Sequence, residues 1–234
     1  MGKGKLQRFA ELSSYDKVFQ PSFDELLNAD FTYKGDWKNK VFKNNNPIVL
    51  ELGCGKGEYA INLAQTFPEK NFLGVDIKGA RMWKGAKYVS ENKINNVSFL
   101  RTFIEFTPSC FEKHEIDEIW ITFPDPQLKQ RRAKKRLTSS VFLSKYKEFL
   151  VTNGTIHLKT DSRELYDYTM ALIKHNNLPL FEHTHDLYSS TLVNEILSIR
   201  TFYETMFLNE NKKITYIKFG LGKVENIEEP PEES

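Results

Sequence analysis

The sequence predicts an α/β protein built on a mostly parallel sheet with helices on both faces. Three observations lead there. From Pro47 onward, apolar runs of strand length alternate with amphipathic stretches of helix length, the pattern of a parallel, doubly wound sheet. The first such run, Ile48 to Leu52, passes into glycines on alternate positions, Gly53, Gly55 and Gly57, and then into an amphipathic stretch with Tyr59, Ala60, Leu63, Ala64 and Phe67. That reads as strand, tight turn and helix. No apolar run reaches the length of a membrane span, and 234 residues suit one α/β domain with a large core.

Taken in order, residues 1–45 are polar and lysine-rich, with Lys3, Lys5 and Arg8 near the start. They read as an extension, partly helical or flexible, whose early lysines are expected to add to a basic surface. A helix is expected to open at Ser22, with Pro21 before it and Asp24 and Glu25 in its first turn. Lys43-Asn44-Asn45-Asn46-Pro47 punctuates the entry to the main domain, 46–221. Strands are expected at 48–52, 72–75, 97–101, 117–123, 155–159, 180–185 and 214–219. Helices are expected near 78–92, at 140–151 with a stop at Asn153-Gly154, at 162–174 and from about Arg200. The acidic stretch 222–234, with Pro230-Pro231, reads as a disordered tail.

Composition narrows the function classes. Net charge is +2, so affinity for nucleic acid has to come from a local patch. Cys54 and Cys110 lack any Cys-x-x-Cys spacing and read as reduced thiols in a cytoplasmic protein. No signal peptide is visible, and Leu6 occupies the position where a myristoylation signal needs Ser or Thr. His183 and His185 share one face of a strand without a third ligand nearby, so no metal site is expected.

The glycine turn identifies a ligand class. A dinucleotide fingerprint needs its third glycine three residues after the second, and Glu58 stands there. Glu51, just ahead of the turn, would repel a pyrophosphate but suits a ligand carrying an ammonium and a sulfonium, such as S-adenosylmethionine. Asp76, at the end of the second strand, is placed to accept from ribose hydroxyls; the alternative is a cap on the following helix.

A second constellation follows the fourth strand. Phe123-Pro124-Asp125-Pro126 holds one carboxylate between two prolines. Lys129, Arg131, Arg132, Lys134, Lys135 and Arg136 come next, an electrostatic footprint for phosphates unless the run is only a solvated loop. Lys159-Thr160-Asp161 ends the fifth strand, and Asp161 has the spacing of an N-cap. Thr201-Phe202-Tyr203-Glu204 has the spacing of a capping box.

Together, Glu51 to Gly57, Phe123 to Pro126 with its basic continuation, Lys159 to Asp161, and Thr201-x-Tyr203-Glu204-x-x-Phe207 resemble the TrmB tRNA (guanine-N7-)-methyltransferases. The match runs in order over residues 48–219. The resemblance implies a class I S-adenosylmethionine-dependent methyltransferase fold, Rossmann-like, with a seven-stranded sheet whose last strand is antiparallel. It implies S-adenosylmethionine as donor and a variable-loop guanine of tRNA as acceptor. By position, Glu51, Gly53, Gly55, Gly57, Asp76, Thr102 and Asp125 would bind the donor, with Asp125 also catalytic. Lys129, Asp161, Thr201, Phe202, Tyr203 and Glu204 would contact the substrate, and Arg131, Arg132, Lys134, Lys135 and Arg136 the RNA backbone. Two positions depart from the family pattern: Gln127 replaces a Trp, and Asn211 replaces a glycine. Rival readings are a class I methyltransferase acting on a protein or small amine, which predicts activity without RNA, and a non-catalytic RNA-binding module, which predicts no donor binding.

Overall fold

Ile48–Leu52 (β2) and Asn71–Val75 (β3) are buried along their whole length, as strands covered by helices on both faces must be. The sheet is completed by Val18–Phe19 (β1), Val97–Leu100 (β4), Ile116–Thr122 (β5), Leu150–Thr160 (β6), Leu180–Thr184 (β7) and Thr215–Gly220 (β8). In this computed structural model, which describes residues 3–231, the strand order is β1-β4-β3-β2-β5-β6-β8-β7. β1 to β6 pair in parallel, and β8 inserts between β6 and β7, antiparallel to both. The antiparallel last strand is as expected, but the sheet has eight strands in place of the expected seven. The additional one, β1, is a two-residue edge pairing of Val18 with Phe99 and Phe19 with Leu100.

Side chains alternate across the sheet. Ile48, Leu50 and Leu52 pack on one face with Ile119, Ile121, Ile156 and Leu158, whereas Val49 packs on the other with Phe72, Phe99 and Trp120. Lys3–Leu12 (α1), Glu58–Thr66 (α3) and Gly79–Glu91 (α4) cover the second face. Phe23–Asn28 (α2), Thr107–Cys110 (α5), Ser140–Lys147 (α6) and Arg163–His175 (α7) cover the first. Phe202–Asn209 (α8) precedes β8. The strand order reverses between β2 and β5, the point at which open parallel sheets bind ligands beyond their carboxyl ends.

Three segments differ from the sequence reading. The N-terminal stretch does not stand apart: Leu26, Phe31, Trp37, Val41 and Phe42 join the first core and Leu12 the second. Its expected helix does open at Ser22, in a capping box with Glu25. Second, α6 stops at Lys147, and Asn153-Gly154 does not end a helix but interrupts β6, whose pairing jumps from Ile116–Leu150 to Glu118–Thr155. Third, the acidic tail is docked as far as Glu229, because Ile227 is buried and Glu229 is bonded to Ser140 and Tyr168. The last residues of that tail, 232–234, and residues 1–2 and the side chains of Lys3 and Lys5 lie outside the described residues.

Both cysteines are buried and free, and burial pushes the Cys110 thiol up to about 12, which makes it a poor nucleophile. His183 bonds the Tyr166 hydroxyl and His185 packs on the Tyr166 ring; among the described residues no cluster of His, Cys, Asp and Glu could hold a metal ion. No described helix is long and apolar enough to cross a membrane.

Candidate active site

β2 and β5 deliver their carboxyl ends to one rim, with Leu52 paired to Ile121. On that rim the buried Glu51 carboxylate accepts from the Thr122 hydroxyl at 2.9 Å and from the Ala60 N–H at 3.0 Å. Burial, with the Glu58 and Asp76 carboxylates nearby, pushes Glu51 up to about 7 against the pull of those two bonds. Gly53, Gly55 and Gly57 all have positive φ. A Cβ on Gly55 would meet nothing within 4 Å, so this part of the turn opens onto free space. A Cβ on Gly57 would run into the Phe99 ring, so that glycine serves packing. Asp76 ties the turn down: its carboxylate accepts from the Gly55 N–H at 2.9 Å and from the Lys78 N–H at 2.7 Å. It does not cap α4, whose N-cap is Lys78. The cleft left between these groups measures about 90 Å³ and is bounded by Glu51, Gly55, Arg81, Phe123, Thr201 and Tyr203.

Beyond β5, Phe123 and Gln127 adopt the left-handed region at φ 48° and 47°, with Pro124, Asp125 and Pro126 between them. Each such residue costs about 1 kcal/mol, and strain of this kind persists where surrounding structure enforces it, often at functional sites. Asp125 is exposed, and its Oδ1 accepts from the Gln127 N–H at 3.0 Å. Phe207 of α8 packs on Phe123 with ring centroids 5.7 Å apart.

The basic run folds as a 3₁₀ turn, Gln130–Lys135. Three residues per turn put Ala133 and Arg136 on one side, and both are buried. Arg131, Arg132, Lys134 and Lys135 face outward and are exposed, as is Lys129.

α8 reaches back over the cleft. Thr201 caps it by accepting from the Glu204 N–H at 3.2 Å, and the Phe202 N–H donates to Glu58 at 2.8 Å. Lys56 stands 4.1 Å over the Phe202 ring. Beneath the cap, Lys159 and Glu204, both wholly buried, pair at 2.8 Å. The Lys159 ammonium also donates to the carbonyls of Leu197 and Ile199 at 2.9 and 3.0 Å, so its three protons each have an acceptor, and Tyr188 donates to Glu204 at 2.7 Å.

Residues 45–217 match a family of putative methyltransferases. A protein of Bacteroides fragilis named tRNA (guanine-N(7)-)-methyltransferase is 50% identical over 230 residues, covering 98% of this chain and 90% of its own. The chain belongs to the tRNA (guanine-N(7)-)-methyltransferase family. Its fold is also that of the 16S rRNA methyltransferase KamB, at TM-score 0.61 and 12% identity over 79% of this chain and 92% of that one. The 16S rRNA (adenine(1408)-N(1))-methyltransferase of Catenulisporales acidiphilia, solved as a variant with its cosubstrate SAM, matches at TM-score 0.55 and 13% identity over 88% of this chain and 94% of that one.

For a member of the tRNA (guanine-N(7)-)-methyltransferase family the donor is S-adenosylmethionine, and the residues present fit it. Glu51, Glu58 and Asp76 surround the turn with negative charge suited to a cationic ligand, and Gly55 leaves the backbone bare on its open side. The Thr102 hydroxyl, past the end of β4, is buried with no partner among the described residues.

Two expected contacts are corrected. Arg136 is only 7% exposed and cannot lie along an RNA backbone; its guanidinium is turned inward. Glu204 is sealed beneath Thr201 and bonded to Lys159 and Tyr188, so it supports the site without touching substrate. Asp161 does not cap α7, a role taken by Ser162; its carboxylate pairs with Lys212 at 3.3 Å. Sequence reasoning missed Thr122 and gave Lys159, though part of a recognised segment, no role of its own. Thr122 directly precedes Phe123, and its one signal was its place at the strand end. A lysine within an apolar strand was the signal for Lys159, because buried charges need partners. Replacing Glu204 with Gln is expected to lower stability by about 2 kcal/mol, read as a shift in the urea midpoint with unchanged slope.

Proposed function

We propose that this chain transfers a methyl group from S-adenosylmethionine to N7 of a guanine in the variable loop of tRNA, giving 7-methylguanosine, with Asp125 as the key carboxylate. One observation carries the reading. β2 and β5 end side by side where the strand order reverses, so an acid-lined glycine turn and a proline-braced acid share one rim, and the latter runs on into an exposed basic turn. The identity to the named relatives over nearly the full chain supports tRNA as the acceptor. An RNA acceptor and two buried, reduced thiols support a cytoplasmic location.

S-adenosylmethionine, when bound, supplies an electrophilic methyl carbon. Guanine N7 has a lone pair and no proton, so no side chain has to remove one, and the protein's task is to align the reacting atoms. Glu51 answers the donor's cationic end and Asp76 its ribose. Asp125, held by the Gln127 N–H, follows the positive charge that develops on the purine and accepts from its N1–H and amino group. Asp161, at the end of the adjacent strand, supports it, Thr201 and Tyr203 bound the acceptor side of the cleft, and the exposed Phe202 between them in sequence is left to meet the substrate. Drawing the base out of a folded tRNA costs a few kcal/mol. Phosphate contacts from Lys129, Arg131, Arg132, Lys134 and Lys135 offset that cost.

Incubation with labelled donor and unmodified tRNA, followed by nucleoside analysis, is expected to yield label in 7-methylguanosine. Label in another nucleoside, or activity without RNA, would overturn the assignment. Binding is also expected to weaken steeply with salt, and replacing Arg131 and Lys134 by Ala should reduce the log–log slope by about one per removed contact. A slope unchanged in that double variant would remove the turn from the RNA surface.

A further inference from the structure

Arg136 breaks the pattern of the basic turn, and its contacts lead back to Asp125. Its Nε–H donates to the Pro126 carbonyl at 3.3 Å and its Nη2–H to the Gln127 carbonyl at 3.4 Å. The guanidinium carbon stands 4.2 Å from the centroid of the Tyr168 ring on α7. Tyr168 donates its hydroxyl to Glu229 Oε2 at 2.6 Å; burial, then that bond, hold the phenol above its ordinary value, so it stays a donor. The other oxygen of Glu229 accepts from the N–H and hydroxyl of Ser140 at 2.9 and 2.7 Å. This serves the start of α6, because the Ser139 hydroxyl is engaged instead with the Lys134 carbonyl at 3.1 Å. The C-terminal tail is thus joined to the catalytic segment through an unbroken line of contacts.

The decisive detail is a single peptide plane. The Pro126 carbonyl that accepts from Arg136 and the Gln127 N–H that donates to Asp125 belong to the same peptide unit, which is rigid. Arg136 holds one edge and Asp125 the other. Gln127 sits at φ 47°, a conformation a non-glycine residue keeps only under constraint. The two Arg136 bonds, to the carbonyls of Pro126 and Gln127, hold the peptide planes on either side of that residue, the first of which presents its N–H to the Asp125 carboxylate. We infer that Arg136, Tyr168 and Glu229 form a strut that positions Asp125 for methyl transfer, making the acidic tail part of the working site. This inference rests on the role assigned to Asp125. An alternative for the tail, an anionic competitor for the basic turn, predicts the opposite sign, since loosening it would then raise tRNA affinity and rate.

The test uses full-length protein, measuring single-turnover methylation at saturating donor and tRNA, donor affinity by calorimetry, and tRNA affinity. Arg136→Lys keeps the charge but loses the planar fork. It is expected to slow single turnover about tenfold with donor and tRNA affinities within threefold. Tyr168→Phe, which removes one hydroxyl, should slow it about threefold. Asp125→Asn combined with Arg136→Lys should be no slower than Asp125→Asn alone, an outcome that a general loss of stability would not give. The strut is refuted by an unchanged rate in Arg136→Lys, by a loss confined to tRNA affinity, or by a further tenfold loss in the double variant. If Arg136→Lys fails to bind donor, Tyr168→Phe decides, and an unchanged rate there refutes the strut. A normal rate in Asp125→Asn would instead remove the underlying assignment, whereas its collapse beside a normal Arg136→Lys would remove only the strut.

Discussion

Asp125→Asn is expected to slow single-turnover methylation by about two to three orders of magnitude while tRNA affinity stays within a few-fold. The substitution is nearly isosteric. The amide oxygen can still accept from the Gln127 N–H, so the segment from Phe123 to Gln127 keeps its two left-handed residues and its place on the rim. What disappears is one negative charge. That charge matters little in the free protein, because Asp125 is exposed and water screens it. It matters once bound RNA excludes water from the rim and the purine gains positive charge during transfer. The loss should therefore appear in the rate at saturation and not in binding, as for an interaction made only in the transition state. A rate within tenfold of the parent protein at saturating tRNA would remove Asp125 from the mechanism.

What can be seen in the sequence is whatever depends on local pattern. Continuous apolar runs mark the central strands, because a strand buried on both faces has no polar side to show. Glu51, the glycines, Asp76 and the proline-flanked Asp125 are visible because each sits at or directly beyond the end of such a run, where the sheet's polarity places it on the ligand rim. Features that depend on a distant partner are not visible. β1 is two residues long and exists only through its pairing with β4. Arg136 looks like its exposed neighbours until the three-residue period of its turn aims it at Tyr168. Glu204 fits a capping box by spacing, yet its carboxylate turns to Lys159, which lies 45 residues earlier in the chain. Net composition marks the acidic tail as disordered, whereas one well-placed carboxylate, Glu229, docks it against the start of α6.

Glu51→Gln is expected to make the protein more stable and a far worse binder of its donor. In the folded state burial raises the Glu51 carboxyl from 4.5 to about 7. Between those values the native state holds a proton that the unfolded chain has released, so stability falls as pH rises through this window and levels off above it. At pH 8 the buried carboxylate is ionised at a cost of about 3 kcal/mol. Gln removes that cost. It can still accept from the Ala60 N–H, and its amide can donate to the Thr122 hydroxyl. Denaturant unfolding should therefore show the variant more stable by about 2 to 3 kcal/mol at pH 8, with the difference vanishing towards pH 4.5. The same charge is what a cationic donor needs. A unit-charge pair in a partly buried site is worth about 4 kcal/mol at contact distance, so donor affinity at pH 8 should fall about a hundredfold or more. In the parent protein that affinity should itself decline as pH drops below about 7, by up to about tenfold per unit as a proton competes for the carboxylate. In the variant it should not change on this account. A Glu51→Gln variant that bound donor normally, or that was less stable at pH 8, would show that Glu51 is held in the cleft for packing and not for charge.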